Sequence, residues 1–162
     1  LPFLKKEQMG LHTDVLELPH TNLILLDTGK RGTMEGKQLD WLEQQLDKHT
    51  DKPALVFAHF NPLPNRGVRP IRGMRDGEVL LKILAQRKHA KAYIHGHTHE
   101  WQHSKTGSIE IIGQPAVSYY FGKGHAHGWI DMKLSEKSAD LELYCIDATH
   151  SQHGEQKQIP FR

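Results

Sequence analysis

Three histidines lie within five positions in the segment IHGHTHEW, residues 94–101. They are His95, His97 and His99, and they come at the end of an apolar run. A fourth, His59, closes a separate apolar run, ALVFAH. Imidazole is the commonest metal ligand among protein side chains and suits Zn, Fe, Mn or Co. These residue types therefore indicate a metal site built from two segments of the chain.

The spacing predicts which of these histidines act together. Residues i and i+2 of an extended segment point to the same side, so we expect His97 and His99 to share a face. Gly96 leaves room for the chain to turn. If the strands that end near His59 and His95 are neighbours, three neutral imidazoles can converge on one ion. We therefore predict metal ligation by His59, His97 and His99, whereas His95 packs or hydrogen-bonds behind them.

The elements that must position these histidines alternate between strands and helices. Short apolar runs bounded by turn residues predict buried strands at 23–26, 54–60 and 90–96. Apolar residues at helical spacing predict amphipathic helices within 32–53 and 76–89. Each predicted helix therefore lies between two predicted strands.

The remaining segments are less regular. A short helix is predicted at 1–10 and a strand at 15–18, and Asp76 is a plausible N-cap. Alternating apolar and polar residues between 108 and 147 predict half-solvated, mostly antiparallel strands. The polar tail from residue 148 gives no clear prediction.

This order of elements predicts an α/β fold with mixed sheets, as a single domain over residues 1–162. Open α/β sheets bind ligands at the carboxyl ends of their strands. His59 and the cluster at 95–99 both fall at such ends.

The overall composition excludes several classes of protein. The net charge is only +2, from 21 basic and 19 acidic residues, which does not indicate a nucleic-acid or membrane partner. Cys145 is the single cysteine, so no disulfide can form within the chain. No apolar run reaches the roughly 20 residues of a membrane-spanning helix, and we expect a cytoplasmic location. Because the chain starts at Leu1 without a signal-peptide pattern, we expect a processed product or a fragment.

The order of the motifs resembles the calcineurin-like metallophosphoesterases. LVFAHFNP and HGHTH are similar to the strand-end histidine and the later Gly-His-x-His of that family's C-terminal half. NLILLDTGKRGTMEGKQLDWLEQQLDK, GQPAVSYYFG and GWIDMKL resemble the segments that surround these motifs. The resemblance covers most of residues 15–146 and implies that the chain is part of a four-layer α/β/β/α sandwich.

The resemblance also implies an activity. Members of the family hydrolyse phosphate monoesters or diesters, including cyclic nucleotides, with two divalent or trivalent ions such as Mn, Fe or Zn. His59 and His97 would bind one ion of the pair and His99 the other. The ions would bridge the phosphate, activate the attacking water and stabilise charge on the displaced oxygen.

The chain departs from the family pattern in its first half. In that half the family carries Asp-x-His, Gly-Asp and Gly-Asn-His in this order, which supply the other ligands and the general-acid histidine, and no such series is found in this sequence. We therefore expect residues 1–162 to be the C-terminal half of a longer enzyme, with little activity of their own. Either the missing half or self-association would supply a partner. His59-Phe60-Asn61-Pro62 also replaces the His-His-Pro of many members.

Candidate substrate contacts follow His59. Arg66, Arg69, Arg72 and Arg75 recur every three residues, and a guanidinium can grip a phosphate with two hydrogen bonds. We predict that Asn61, Arg66 and Arg69 contact a small phosphate ester. The alternative is a solvated basic loop, because arginine is common on surfaces.

Other readings stay open at this stage. His125 and His127 form a second His-x-His, in a loop, and either contact substrate or are ordinary loop residues. Asp27 either supports the metal site or caps a turn, and Tyr119 either lines a pocket or joins the core. The chain could also be a non-catalytic, degenerate phosphoesterase module that serves as an interaction surface, or a hydrolase with a single zinc ion.

Overall fold

The computed structural model describes residues 13–29, 32–64, 73–119, 122 and 124–162. Neither helix within these ranges is long and apolar enough to cross a lipid bilayer. The helices are α1 (Glu35–Lys48) and α2 (Gly77–Ala85), and the strands are β1 (Asp14–Glu17), β2 (Asn22–Leu25), β3 (Ala54–Ala58), β4 (Ala90–His95), β5 (Gln102–Thr106), β6 (Ile109–Gly113), β7 (Gly128–Leu134), β8 (Ser138–Cys145) and β9 (Gln156–Pro160).

The strands form two sheets. The first has six strands in the order β1-β2-β3-β4-β6-β5. Strands β2, β3, β4 and β6 are parallel, and β1 and β5 are antiparallel strands at its two edges. The second sheet is antiparallel, in the order β7-β8-β9. The predicted α/β class with mixed sheets is therefore confirmed.

The six-stranded sheet separates two apolar cores. Along β3, Val56 packs into a core with both helices, and its neighbour Leu55 packs into a second core against the other sheet. The helices contribute Leu42, Leu46, Leu80 and Leu84 to the first core, and the second sheet contributes Leu141, Leu143 and Ile159 to the other. Because successive side chains of a strand point to opposite faces, both faces of β3 are covered. The described residues thus form three layers: helices, sheet and sheet.

The strands and helices around the histidines lie close to their predicted positions. The buried strands predicted at 23–26, 54–60 and 90–96 are β2, β3 and β4. Both predicted helices form, although α2 ends at Ala85, because the chain then turns to begin β4 at Ala90. The helix predicted at 1–10 lies outside the described residues.

The prediction for the segment after residue 108 was wrong in part. β6 is buried at every position, not half-solvated, and it pairs in parallel with β4 and antiparallel only with β5. The reason is that Ile109 and Ile111 face the helices and Ile112 faces the second sheet. β5 and β9 were not predicted, since QHSKT and QKQIP carry mostly polar side chains along exposed strands.

Asp76 occupies the N-cap position of α2, but its side chain makes no capping hydrogen bond there. Its carboxylate instead accepts hydrogen bonds from Thr33 Oγ1 at 3.1 Å and from the Met34 amide at 2.8 Å. Met34 is the N-cap residue of α1. Asp76 therefore ties the start of one helix to the start of the other.

Glu110 of β6 is charged although it is only 8% exposed. Burial raises its pKa, but hydrogen bonds from Lys105 and His103, each at 2.7 Å, outweigh burial and hold the pKa below its ordinary value. Both partners lie on the neighbouring edge strand β5. The cluster thus fastens β5 to the sheet.

The Glu110 cluster predicts a pH-dependent stability. A carboxylate with a lowered pKa in the folded state stabilises the fold above its unfolded pKa of about 4.3, and this stabilisation is lost as the pH falls through the folded value. Urea unfolding from pH 6 to pH 3 should therefore show a steeper loss of stability for the wild-type chain than for Glu110→Gln. Parallel curves for the two proteins would contradict this assignment.

The helix core predicts a second difference in stability. Leu80 is fully buried in α2, whereas the adjacent Val79 is 48% exposed. Leu80→Ala should lower the free energy of unfolding by about 2–5 kcal/mol, because it leaves a cavity. Val79→Ala is the matched control and should change it by less than about 0.5 kcal/mol. Urea denaturation measures both, and equal effects would be inconsistent with this packing.

Candidate metal centre

Parallel pairing of β3 and β4 brings the two histidine segments together. Ala58 pairs with His95 at the carboxyl ends of the strands. One step further, the amide of Gly96 donates a hydrogen bond to the carbonyl of His59 at 3.1 Å. The predicted site required the strands that end near His59 and His95 to be neighbours, and the structure confirms that they are.

The rings of His59 and His97 lie next to each other. Their centroids are 5.3 Å apart and the rings meet at 73°. Phe60 lies against His97, with centroids 4.0 Å apart and an interplanar angle of 33°. This contact was not predicted from the sequence. The one feature that could have indicated it is that Phe60 directly follows the predicted ligand His59. Phe60 and His59 thus contact the His97 ring from two neighbouring positions.

The backbone around His97 is not extended as predicted. His97 and His99 have φ angles of 58° and 56°, in the left-handed region. Between them, the amide of Thr98 donates to the carbonyl of Gly96 at 2.6 Å, which marks a tight turn. We predicted that His97 and His99 share a face because residues i and i+2 of an extended chain point to the same side. The chain is not extended here, so this reasoning was wrong. The turn is made by the histidines and not by the conformational freedom of Gly96.

Left-handed backbone conformations are uncommon outside glycine, although histidine adopts them more often than most residues. Each costs on the order of 1–3 kcal/mol, and such residues concentrate at functional sites. This turn contains two left-handed residues at alternate positions, and both are histidines. This favours a role for the turn beyond connecting β4 to β5.

His99 has a different environment from the other two predicted ligands. Its ring lies against Tyr119, with centroids 4.7 Å apart and an interplanar angle of 70°. Burial lowers the pKa of His99, a hydrogen bond with the Tyr119 backbone opposes this, and the charge of His59 lowers the pKa further. Tyr119 itself is 58% exposed, so it borders the site and does not belong to the core.

Burial lowers the pKa of three histidines at this edge of the sheet, which favours their neutral form. Burial lowers the pKa of His97, and repulsion from His59 and His99 adds to this effect. His95 is 3% exposed, and burial lowers its pKa to about 4, although its Nδ1 interacts with the Gly96 carbonyl at 2.9 Å. A neutral imidazole has the free lone pair that a metal ion requires. His95 is buried at the end of β4, and its role as a supporting residue stays a prediction.

The donor set fits a metal ion in part. His59 and His97 supply two neighbouring nitrogen donors of the kind that Zn, Mn and Fe accept. Within the described ranges, however, no group of three His, Cys, Asp or Glu side chains is arranged to hold an ion. The structure thus brings together two of the three predicted ligands, and His99 packs on Tyr119 beside them.

Of the predicted substrate contacts Asn61, Arg66 and Arg69, the structure describes only Asn61. Asn61 is 3% exposed, and its side-chain amide donates to the carbonyl of Leu63. Arg66 and Arg69 lie outside the described residues. Asp27 caps a turn, because its carboxylate accepts a hydrogen bond from the Gly29 amide at 2.7 Å.

The second His-x-His lies in a different part of the chain. His125 Nδ1 lies 4.0 Å from a carboxylate oxygen of Glu100, at the outer limit of an ion pair. The backbone of His127 pairs with Ala116 and accepts a hydrogen bond from the Ile146 amide at 2.7 Å. No metal-binding group of three forms there among the described residues. These contacts fit the reading as ordinary structural residues.

Comparison with known proteins gives the family. The sequence profile described as calcineurin-like phosphoesterase matches residues 5–101, which include all three predicted ligands. The chain is 28% identical over 124 residues to a 3',5'-cyclic adenosine monophosphate phosphodiesterase, CpdA, of Haemophilus influenzae, over 74% of this chain and 45% of that protein. The chain spans about half the length of the curated relatives that it matches.

Two solved structures share the fold at low sequence identity. A dimetal phosphatase from Danio rerio superposes with a TM-score of 0.72 at 16% identity, over 96% of this chain and 63% of that one. The protein described as the anchor in the inner membrane complex of Plasmodium superposes with a TM-score of 0.65 at 14% identity, over 94% of this chain and 54% of that one. By its sequence match, and with a fold that agrees, the chain belongs to the calcineurin-like phosphoesterase family.

Proposed function

We propose that the chain forms part of a dinuclear metal centre that hydrolyses phosphate esters. His59 and His97 bind one ion and His99 binds the second. The observation that carries this proposal is the 5.3 Å approach of the His59 and His97 rings at the ends of two parallel strands. The ions are divalent or trivalent, with Mn, Fe or Zn as candidates, because neutral imidazole suits each of them.

The protein side chains have defined tasks in this proposal. His59 and His97 present ring nitrogens, burial favours the neutral form of His97, and Phe60 restricts the rotation of the His97 ring. The left-handed turn places His99 next to Tyr119, at the border of the site. When bound, a metal pair supplies Lewis-acid stabilisation of the phosphate and of the leaving oxygen. Further ligands, carboxylates included, are not assigned to residues of this chain.

The substrate is a small phosphate ester in this proposal, and a diester is favoured. Matched relatives carry phosphodiesterase names, among them a cyclic adenosine monophosphate phosphodiesterase from Haemophilus influenzae. Contacts of Arg66 and Arg69 with the phosphate stay predictions. A contact of Asn61 with the substrate also stays a prediction, and the Asn61 side chain is buried. A cytoplasmic location likewise stays a prediction.

A second candidate function is a non-catalytic phosphoesterase module that acts as an assembly surface. One observation favours it: the described residues contain no group of three side chains arranged for an ion. Metal content and turnover of a generic aryl phosphate diester, measured together, separate the two candidates. Bound metal with metal-dependent hydrolysis, even if slow, supports the enzyme, whereas a chain that binds no metal supports the module.

The predicted ligands can be tested by mutation. His97→Ala should lower metal affinity by at least about tenfold, because losing a direct ligand costs no less than losing an outer-shell partner. Metal-dependent phosphodiester hydrolysis should fall with it. The measurements are metal content after dialysis against Mn²⁺ or Zn²⁺, and turnover of bis(p-nitrophenyl) phosphate.

The matched control is His20→Ala, which removes an exposed histidine between β1 and β2, away from the strand ends that carry the site. It should leave metal content and turnover unchanged. Equal metal content in wild type and His97→Ala, with both proteins folded by circular dichroism, would exclude His97 as a ligand.

A further inference from the structure

The two sheets of the described residues end in four edge strands, which are β1 and β5 in the first sheet and β7 and β9 in the second. Edge strands are protected against pairing with another chain by shortness, charge or proline. β1 has four residues, β5 is polar and carries Lys105, and β9 carries Lys157 and ends in Pro160. β7 has seven residues and no proline, so it is the edge best suited to receive a further strand.

Hydrogen bonds at both ends of β7 show which of its backbone groups face away from β8. Just before the strand, the carbonyl of His127 accepts a hydrogen bond from the chain that follows β8, at 2.7 Å. Just after it, the amide of Ser135 donates to the first residue of β8, at 2.9 Å. The backbone groups of successive residues in a strand point alternately to its two sides. The N–H and C=O groups of Ile130, Met132 and Leu134 therefore point to the free edge.

A neighbouring segment covers only the start of this edge. The amide of Gly128 donates to the carbonyl of Ala116 at 2.9 Å, and no described strand pairs with the edge beyond that bond. The free edge thus runs over residues 129–134. Such a row of unpaired backbone groups is a template for a further strand.

The inner face of β7 is an apolar row that is incompletely covered. Ile130, Met132 and Leu134 are half-buried and pack against the second core. On the adjacent β8, by contrast, Leu141 and Leu143 are at most 1% exposed. A strand added at the free edge would bury the rest of the β7 row.

The outer face of β7 carries opposite charges at alternate positions. Asp131 lies directly opposite Glu142 of β8, and Lys133 lies opposite Asp140. Like charges that face each other across two strands destabilise the pairing. A cation on the other side of Asp131 would relieve its repulsion from Glu142.

We propose that β7 pairs antiparallel with β7 of a second copy of this chain, about a two-fold axis at Met132. Ile130 then faces Leu134 of the second copy, and Met132 faces its own equivalent. On the outer face, Asp131 faces Lys133 of the second copy. Because a two-fold interface is self-complementary, the apolar contact between Ile130 and Leu134 and the charge contact each occur twice.

The side chains select this register over its neighbours. A shift of the second copy by one residue would set its apolar row opposite the charged row. A shift by two residues would set Asp131 against its own equivalent in one direction, and Lys133 against its own equivalent in the other. The register centred on Met132 matches both rows. The inference goes beyond the proposed hydrolysis and does not require a metal ion.

Analytical ultracentrifugation of the whole metal-free chain measures the association. We expect a concentration-dependent species with twice the 18.5 kDa mass of the chain. Hydrogen exchange of the Ile130, Met132 and Leu134 amides should slow as this species forms. A chain that stays monomeric up to about 1 mM would mean that another segment covers the edge or that it stays open, and would overturn the proposal. So would an oligomer in which these three amides exchange as fast as in the monomer.

Asp131→Lys and Lys133→Asp test the register. Each variant sets like charges against each other in its own dimer, so each alone should associate at least about fivefold more weakly than the wild type. Mixed in equal amounts, the two variants should form a heterodimer, because each supplies the charge that the other lacks. The matched control is Gln156→Lys, on the exposed side of β9 in the same sheet, which should change the affinity by less than about twofold.

Two results with these variants would rule out this interface, provided that circular dichroism shows each variant to be folded. One is undiminished self-association of either variant alone, and the other is a mixture that forms no heterodimer. Metal content and diester hydrolysis are measured separately, so failure here leaves the metal centre untouched.

Discussion

The parallel pairing of β3 with β4 is the constraint on which the site depends. It sets the carboxyl ends of both strands side by side and joins them by the hydrogen bond from the Gly96 amide to the His59 carbonyl at 3.1 Å. Both strands are buried on two faces, by the helices and by the second sheet. A shift of β4 by one residue relative to β3 would move each β4 side chain to the opposite face of the sheet. The two cores therefore fix the register that brings His59 to His97.

The turn after β4 works against local backbone preference. His97 and His99 take up left-handed conformations that the flanking strand does not require. The surrounding packing compensates, with Phe60 against His97 and Tyr119 against His99. Burial and repulsion from neighbouring histidines lower the pKa of both and favour the neutral imidazoles. Conformation and charge thus favour the same outcome, a set of nitrogen lone pairs at one edge of the sheet.

Much of this arrangement could be predicted from the sequence, because buried strands and amphipathic helices leave strong patterns. The apolar run that precedes His59 and the one that ends at His95 identified β3 and β4. β5 and β9 were missed because polar strands gain their stability from neighbours that the sequence does not reveal. The left-handed turn could not be predicted either, because the spacing of His97 and His99 along the sequence carries no information on their backbone φ angles. The contacts of Phe60 and Tyr119 depend on tertiary packing for the same reason.

The most direct test of the metal centre is a Zn²⁺ titration of the chain, followed by the imidazole ¹⁵N signals of its histidines. If the paired rings hold an ion, the nitrogens of His59 and His97 should shift together, with the same dissociation constant, to the range of metal-bound imidazole. Saturating Zn²⁺ that leaves these two histidines unshifted, or that shifts only one of them, would contradict the account.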